Sequence, residues 1–219
     1  MNAVIFDMDG LMFDTEKIFI QAWDFVGEKL GVGKAGFMAL KTLGVNLKTA
    51  EKMWLDEFDN KIDINKLRDY TIEFFESYSL NNKLPVKKGL YNLLNYLQKM
   101  NYKLAVASSS PQKLVLDNLN STDTKKYFSA IICGDMVEKS KPEPDIYLEA
   151  CNALGENPSN CYALEDSKNG LFSAYNAGCK AIMIPDLWQP DIETLQIITA
   201  KLNDLDEVIN FLKVGENLE

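Results

Sequence analysis

The sequence predicts an α/β protein, a doubly wound parallel sheet with an all-helical unit inserted after its first strand. Three observations carry that prediction. Residues 2–6 (NAVIF) form a short apolar run stopped by Asp7, as a buried strand does. From Thr15 to about residue 82, apolar residues fall only at helical spacing. Beyond Pro85, short apolar runs alternate with helical patterns, which builds a parallel sheet with helices on both faces. The first strand has to join that sheet. Residues 1–14 and 83–219 are therefore expected to form the core, and 15–82 a separate helical domain.

Within the insertion, Ile18, Ala22, Phe25 and Val26 share one helical face, and Leu67, Tyr70, Phe74 and Tyr78 another. Gly31, Gly33, Gly36 and Gly44 divide the stretch into about four helices. Its aromatic stripes are expected to form its own core. Leu90, Leu93, Leu94 and Leu97 then mark a helix, and 103–107 (KLAVA) a strand ending in Ser108-Ser109-Ser110. A helix over 111–119 has proline in its first turn. Residues 130–133 (AIIC) form a strand, 144–154 a helix, and 161–164 (CYAL) a strand ending in Glu165-Asp166. Residues 167–176 form a helix closed by Gly178, and 180–184 the last core strand. The segment Trp188-Gln189-Pro190-Asp191 reads as a loop, and Asp204, Asp206 and Glu207 open a final helix, where their charge complements its dipole.

Composition narrows the function. Acidic residues outnumber basic ones 32 to 23, a net charge of −9, which argues against nucleic acid as a partner because phosphate backbones require clustered cations. A small phosphorylated substrate needs only one or two local cations and stays compatible. The chain has no histidine, which removes Ser-His-Asp and Cys-His catalysis and every His-ligated metal site. Acid–base work falls to carboxylates, Lys, Tyr or Cys. Cys133, Cys151, Cys161 and Cys179 form no C-x-x-C pair, and they read as buried free thiols in a reducing compartment. The opening MNAVIFDMDG shows no signal-peptide pattern, and no apolar run approaches the roughly 18 residues of a membrane span. A cytoplasmic protein is expected.

In an open parallel sheet, ligands bind at the carboxyl ends of the strands. Asp7-Met8-Asp9-Gly10, Ser108-Ser109 and Glu165-Asp166 all stand at such ends, and Lys139-Ser140-Lys141-Pro142 precedes the helix at 144. Acids, hydroxyls and a lysine thus converge from four distant segments. Carboxylates alone would repel a phosphate, but they suit one once a hard cation sits among them; Mg²⁺ favours one or two carboxylates with substrate oxygens and water. Ser108 and Ser109 offer hydroxyls to phosphate oxygens, Lys141 can neutralise a transferring phosphoryl group, and Asp7 can attack phosphorus.

The run Asp7-Met8-Asp9-Gly10-Leu11-Met12-Phe13-Asp14-Thr15 resembles the first motif of the haloacid dehalogenase superfamily, D-x-D-G-x-x-x-D-[ST]. Ser108, Lys141 (in KPEPD) and Glu165-Asp166-Ser167 with Asn169-Gly170 resemble its second, third and fourth motifs, in the family's order. The resemblance covers essentially the whole chain and lies nearest the helical-cap subgroup, which holds beta-phosphoglucomutases and many small-metabolite phosphatases. It implies a Rossmann-like core, with Asp7 as nucleophile and Mg²⁺ ligand, and Asp9 as general acid–base with its carbonyl on the metal. It further implies that Asp166 completes the metal site with Glu165 beside it, that Ser108 and Lys141 hold the phosphoryl group, and that Gly10 lets its N–H approach it. Asp14 and Thr15 would mark the hinge to the cap, although Asp14 serves equally as a turn or helix-capping residue.

Asp9 separates reaction types. A dehalogenase needs no leaving-group acid, whereas a phosphatase must protonate an alkoxide and then activate water. An ordinary Asp, pKa about 3.9, is only ~0.1 % protonated at pH 7, so the site must hold Asp9 protonated. Beta-phosphoglucomutases carry a His shortly after the first motif and basic residues around the cap's glycine loop. Here those stretches read Thr15-Glu16-Lys17-Ile18-Phe19 and Leu43-Gly44-Val45-Asn46-Leu47. A phosphatase acting on a small phosphorylated metabolite is therefore expected, with a sugar-phosphate mutase as the alternative. A Schiff-base phosphonate-cleaving enzyme and a non-catalytic phospho-ligand binding protein are weaker alternatives. Thr15, Lys41, Gly44 and Leu47, with Lys48, are the cap residues expected near substrate. The apolar cap suggests a leaving group of low charge, such as a sugar or polyol, and a monomer is expected because the cap can seal the site itself.

Overall fold

A computed structural model describes residues 3–216. Strand β1 (Ala3–Phe6) leads into four helices, α1 (Glu16–Leu30), α2 (Met38–Lys41), α3 (Leu47–Glu57) and α4 (Ile64–Asn81). The core then runs α5 (Leu90–Lys99), β2 (Lys103–Ser108), α6 (Gln112–Ser121), β3 (Ala130–Cys133), α7 (Asp145–Leu154), β4 (Cys161–Glu165), α8 (Lys168–Asn176) and β5 (Lys180–Met183). It ends with α9 (Ile192–Ile197), β6 (Ala200–Lys201) and α10 (Leu205–Glu216). The doubly wound sheet with an inserted all-helical unit is as expected. The two-residue β6 and the short α9 are additions, in a stretch too brief to show a period.

The six strands are all parallel, in the order β3-β2-β1-β4-β5-β6. β1 lies at the centre, and the chain leaves it first toward β2 and β3 and later toward β4. That reversal opens a crevice at the carboxyl ends of β1 and β4, where such sheets bind ligands. Phe6 pairs with both Val106 and Leu164, so the next row across the sheet is Ala107, Asp7 and Glu165. The row carries two carboxylates side by side.

Alternation along β1 supplies both faces. Val4 and Phe6 pack with Leu90, Leu93, Leu94 and Leu97 of α5, Val115 and Leu119 of α6, and Leu205, Val208 and Leu212 of α10. Ala3 and Ile5 pack with Ile146, Ala150 and Leu154 of α7 and Leu171 and Ala174 of α8. Trp188 is half-buried against this second layer, so its loop packs onto the core. All four cysteines are free and buried; Cys151 and Cys179 bring their sulfurs to 3.7 Å. No helix among the described residues is long and apolar enough to cross a membrane.

The helical unit has its own core of Trp23, Val26, Ala35, Met38, Ala39, Trp54, Ile62 and Leu67. Asn46 and Asp63 cap α3 and α4, accepting from Thr49 N and from Asn65 and Lys66 N. The two linkers to the sheet run as a pair: Asp14 N donates to Pro85 O at 2.9 Å and Lys87 N to Met12 O at 3.0 Å. Lys87 also bridges Asp14 (3.7 Å) and Asp186 (2.6 Å), and Lys17 holds Asp14 at 2.8 Å, so Asp14 belongs to the linker pair. Trp54 is fully buried against Trp23 and Phe58, with ring centroids 5.3 Å apart in each case. Trp54→Ala is expected to destabilise the helical unit by about 3–5 kcal/mol. Denaturant unfolding followed by tryptophan fluorescence checks it; a loss below about 1 kcal/mol would contradict an independently packed unit.

Candidate active site

The side chain of Lys141 reaches the central row from the loop that precedes α7. Its Nζ donates to Asp7 Oδ1 (2.5 Å), Glu165 Oε1 (2.6 Å) and Ala107 O (3.0 Å), which exhausts its three protons. Lys141 is 1 % exposed. Burial works against its charge, yet Asp7 and Glu165 together raise its pKa above the ordinary lysine value. Lys141 thus lies within contact of the nucleophile, but its protons are already engaged by protein oxygens.

Glu165 is held from every side. Oε1 also accepts from Tyr147 OH at 2.7 Å, and Oε2 accepts from Ser167 Oγ (3.1 Å) and from the N–H groups of Asp166 (3.2 Å) and Ser167 (3.3 Å). Gly170 leaves room for it, since a Cβ there would collide with the Glu165 carboxylate. Ser167 also caps α8, accepting from Gly170 N at 3.1 Å.

Asp7, Glu165 and Asp166 each offer an oxygen within 4.8 Å of the others, a set that could hold one metal ion. Of the three, Glu165 is saturated by its donors. Asp166 has no hydrogen bond or ion pair to its side chain among the described residues. Burial pushes the carboxyls of Asp7 and Asp166 well above the ordinary range, with neighbouring carboxylates adding to it and Lys141 pulling Asp7 back. Crowded acids with unused oxygens fit a hard cation.

Asp9 points toward the hydroxyls. Its Oδ2 accepts from Ser110 Oγ at 2.8 Å and, more distantly, from Ser108 Oγ at 3.4 Å, while the buried Oδ1 has no partner among the described residues. Burial raises its pKa and the Ser110 bond opposes the rise. Gly10 adopts φ +82°, and a Cβ there would collide with the Asp166 carboxylate. Its N–H donates to Phe13 O (2.9 Å) and Thr15 Oγ1 (3.2 Å). The expected approach of this N–H to a phosphate is thus not what the structure shows; the glycine makes room for Asp166. Thr15 is buried in that loop and does not line the cavity.

A cavity of about 420 Å³ lies between the helical unit and the sheet. Asp7, Asp9, Glu16 and Asp166 form its floor, and Phe19, Trp23, Leu67, Ile72 and Phe75 wall it from the helical unit. The aromatic stripes therefore do more than fill their own core. The loop before α3 is seated on the sheet domain: Ser109 Oγ donates to Gly44 O (2.8 Å), Asn169 Nδ2 to Leu43 O (2.9 Å), and Thr49 Oγ1 meets Ser140 Oγ (3.2 Å). The Ser109 hydroxyl, expected on phosphate, is turned to this contact. A Cβ on Gly44 would lie 2.6 Å from Ser167 Oγ, so glycine permits the approach. Gly44 and Leu47 line the cavity; Lys41 does not, because it pairs with Glu57 and lies over the Phe37 ring.

Sequence reasoning passed over Glu16, Ser110, Tyr147 and Arg68. Arg68, the chain's single arginine, lines the cavity from α4 and is gripped by the buried Glu51 through Nε and Nη2, the latter at 2.6 Å. Its rarity was a readable signal. Tyr147 reads as core, and nothing in the spacing tells that its hydroxyl meets Glu165. Glu16, next to the first motif, is 6 % exposed, and burial with the charges of Asp9, Asp7 and Asp186 raises its pKa to about 9.

Comparison with known proteins identifies the family. The phosphorylated carbohydrates phosphatase of Thermotoga maritima is 31 % identical over 182 residues, 83 % of this chain and 84 % of that protein. The crystal structure of CbbY from Rhodobacter sphaeroides in complex with phosphate is 26 % identical with a TM-score of 0.81, covering 95 % of this chain and 96 % of that one. A beta-phosphoglucomutase structure from Clostridium difficile, 20 % identical, shares the fold with a TM-score of 0.82 over 99 % of this chain and 97 % of that one. The family model for haloacid dehalogenase-like hydrolases matches residues 4–184, strands β1 to β5 with everything between them, and the chain belongs to that family.

Proposed function

We propose that the protein is a Mg²⁺-dependent phosphatase that hydrolyses a small phosphorylated metabolite, a sugar phosphate or similar, through an aspartyl phosphate on Asp7. The observation that carries this reading is Asp9: a second carboxyl two residues from the nucleophile, half-buried on the cavity lining, with its pKa raised by burial and its Oδ2 held by the Ser110 hydroxyl. A leaving alkoxide needs a proton at that place. The similarity to a phosphatase of phosphorylated carbohydrates supports the substrate class.

In the first step, an Asp7 oxygen attacks phosphorus and the bond to the leaving oxygen breaks, while Asp9 gives its proton to the departing alkoxide. In the second, Asp9 as carboxylate takes a proton from water, the water oxygen attacks phosphorus, and Asp7 and inorganic phosphate are released. Lys141 orients Asp7 and opposes the effect of burial on its carboxyl, and Glu165 holds Lys141 while Tyr147 holds Glu165. A Mg²⁺ ion, held by Asp7 and Asp166, would offset charge on the phosphoryl oxygens. The seated helical unit covers the cavity, and closing it further around a substrate would expel water and strengthen each of these interactions.

No loop cation favours a mutase: Thr42, Val45 and Leu47 are the side chains that the glycine loop turns to the cavity. Phosphate release from a panel of sugar and polyol phosphates is expected with Mg²⁺, to vanish with EDTA, and to vanish in Asp7→Asn. Conversion of hexose 1-phosphate to the 6-phosphate without release would favour the mutase, and tight phosphate binding without turnover a binding protein.

Asp9→Asn is expected to lower kcat on an alkyl phosphate by about 10²–10⁴-fold, and less on an aryl phosphate whose leaving group needs no proton. Equal losses on both would contradict an acid role.

Stability should also report the crowded acids. Asp7, Asp9, Glu16 and Asp166 are raised above the ordinary carboxyl value of about 4, Glu16 to about 9. The folded metal-free protein then binds more protons than the unfolded chain above pH ~4, so stability falls as pH rises toward 9. Each group contributes up to about 1.4 kcal/mol per pH unit within its window. Thermal unfolding in EDTA is expected at lower temperature at pH 8.5 than at pH 6, with Mg²⁺ reducing the difference; a flat profile in EDTA would contradict it.

A further inference from the structure

We infer that Glu16 is a specificity-determining residue whose carboxyl binds a hydroxyl of the leaving group, and that this leaving group is a neutral polyol or sugar. The inference rests on the phosphatase reading above and names its substrate class.

Glu16 opens α1 directly over the nucleophile loop. Its Cγ lies 3.2 Å from where a Cβ on Gly10 would stand, and it shares the cavity floor with Asp7, Asp9 and Asp166. It is 6 % exposed, yet among the described residues its carboxyl makes no hydrogen bond or ion pair. A buried polar group without a partner is costly, so one that faces a cavity marks a position for a ligand group. An acid at a helix start favours the dipole, but that effect needs no burial; Glu193 starts α9 exposed to solvent. A metal role is not what the geometry offers either, because the acids with oxygens within 4.8 Å of one another are Asp7, Glu165 and Asp166. What remains for it to meet is the leaving group, near the ester oxygen that Asp9 serves.

The rest of the cavity decides the class. Phe19, Trp23, Leu67 and Phe75 offer apolar and aromatic faces, against which the carbon side of a sugar or polyol packs. Of the two cations on the walls, Arg68 is held by the buried Glu51, and Lys113 extends into solvent at the rim with Asp117 at 3.5 Å. A second phosphate or a carboxylate on the substrate would find no buried, unpaired cation among the lining residues. Hydroxyls would find the Glu16 carboxyl.

The test compares sorbitol 6-phosphate with n-hexyl phosphate, which has the same carbon count and the same kind of leaving oxygen but no hydroxyls. kcat/KM is measured with Mg²⁺ for the wild type, Glu16→Ala and Glu16→Gln. The wild type is expected to prefer the polyol phosphate. Glu16→Ala is expected to lower the ratio of the two kcat/KM values by about 10–100-fold, the range for a lost buried hydrogen bond. Glu16→Gln, which keeps size and hydrogen-bonding capacity, should recover part of it. An unchanged ratio overturns the inference, whether both substrates lose together, as for a structural or phosphorus-centred role, or neither does. If the wild type releases phosphate from neither substrate nor from any other ester, the phosphatase reading fails first and takes this one with it.

Discussion

The site depends on one buried lysine. Parallel pairing of β1 with β2 and β4 sets Ala107, Asp7 and Glu165 in a single row, and the Lys141 ammonium binds all three. Without that charge, two carboxylates would face each other in a region closed to water, and losing one partner of such a buried pair costs about 3–5 kcal/mol. The requirement spreads outward. Glu165 has to stay put to hold Lys141, so Tyr147, Ser167 and two backbone N–H groups saturate it. Gly170 has to lack a side chain so that Glu165 can fit.

The same arrangement divides labour among the acids. Glu165 is consumed by structure. Asp7 is half engaged, with one oxygen on Lys141. Asp166 is unengaged and kept close by Gly10, which has no side chain to push it away. Asp9 leans on Ser110 with one oxygen and leaves the other unpaired. Four carboxyls within a few residues of two strand ends thus have four different environments, and differences of environment are what set different protonation tasks.

The helical unit closes over this floor through polar contacts of its glycine loop, and its aromatic side chains line the remaining space. Ser109, Asn169 and Ser140 on the sheet side meet Gly44, Leu43 and Thr49. Few and polar, these contacts suit a joint that opens for substrate, whereas the hydrophobic core of the helical unit is its own.

Much of this was legible in the sequence. Short apolar runs marked the strands and period-3.6 patterns the helices, because a two-faced sheet must bury both faces of β1 and an inserted helical unit must bury a stripe. The positions of Asp7, Asp9, Lys141 and Asp166 were legible for a related reason: polar residues that end apolar strands collect at one edge of a parallel sheet. What each polar group touches was decided only by the tertiary structure. The Gly10 N–H turned to Phe13 and Thr15, the Ser109 hydroxyl to Gly44, and Lys41 to Glu57; each could be placed near the site from chain position, but not aimed. Glu16, Tyr147 and Arg68 came to the site from helices whose patterns speak only of burial. Sequence periodicity records which face of an element is covered, because that is a property of one element. Partners of a side chain depend on register and packing between elements far apart in the chain, and those exist only once the fold is complete.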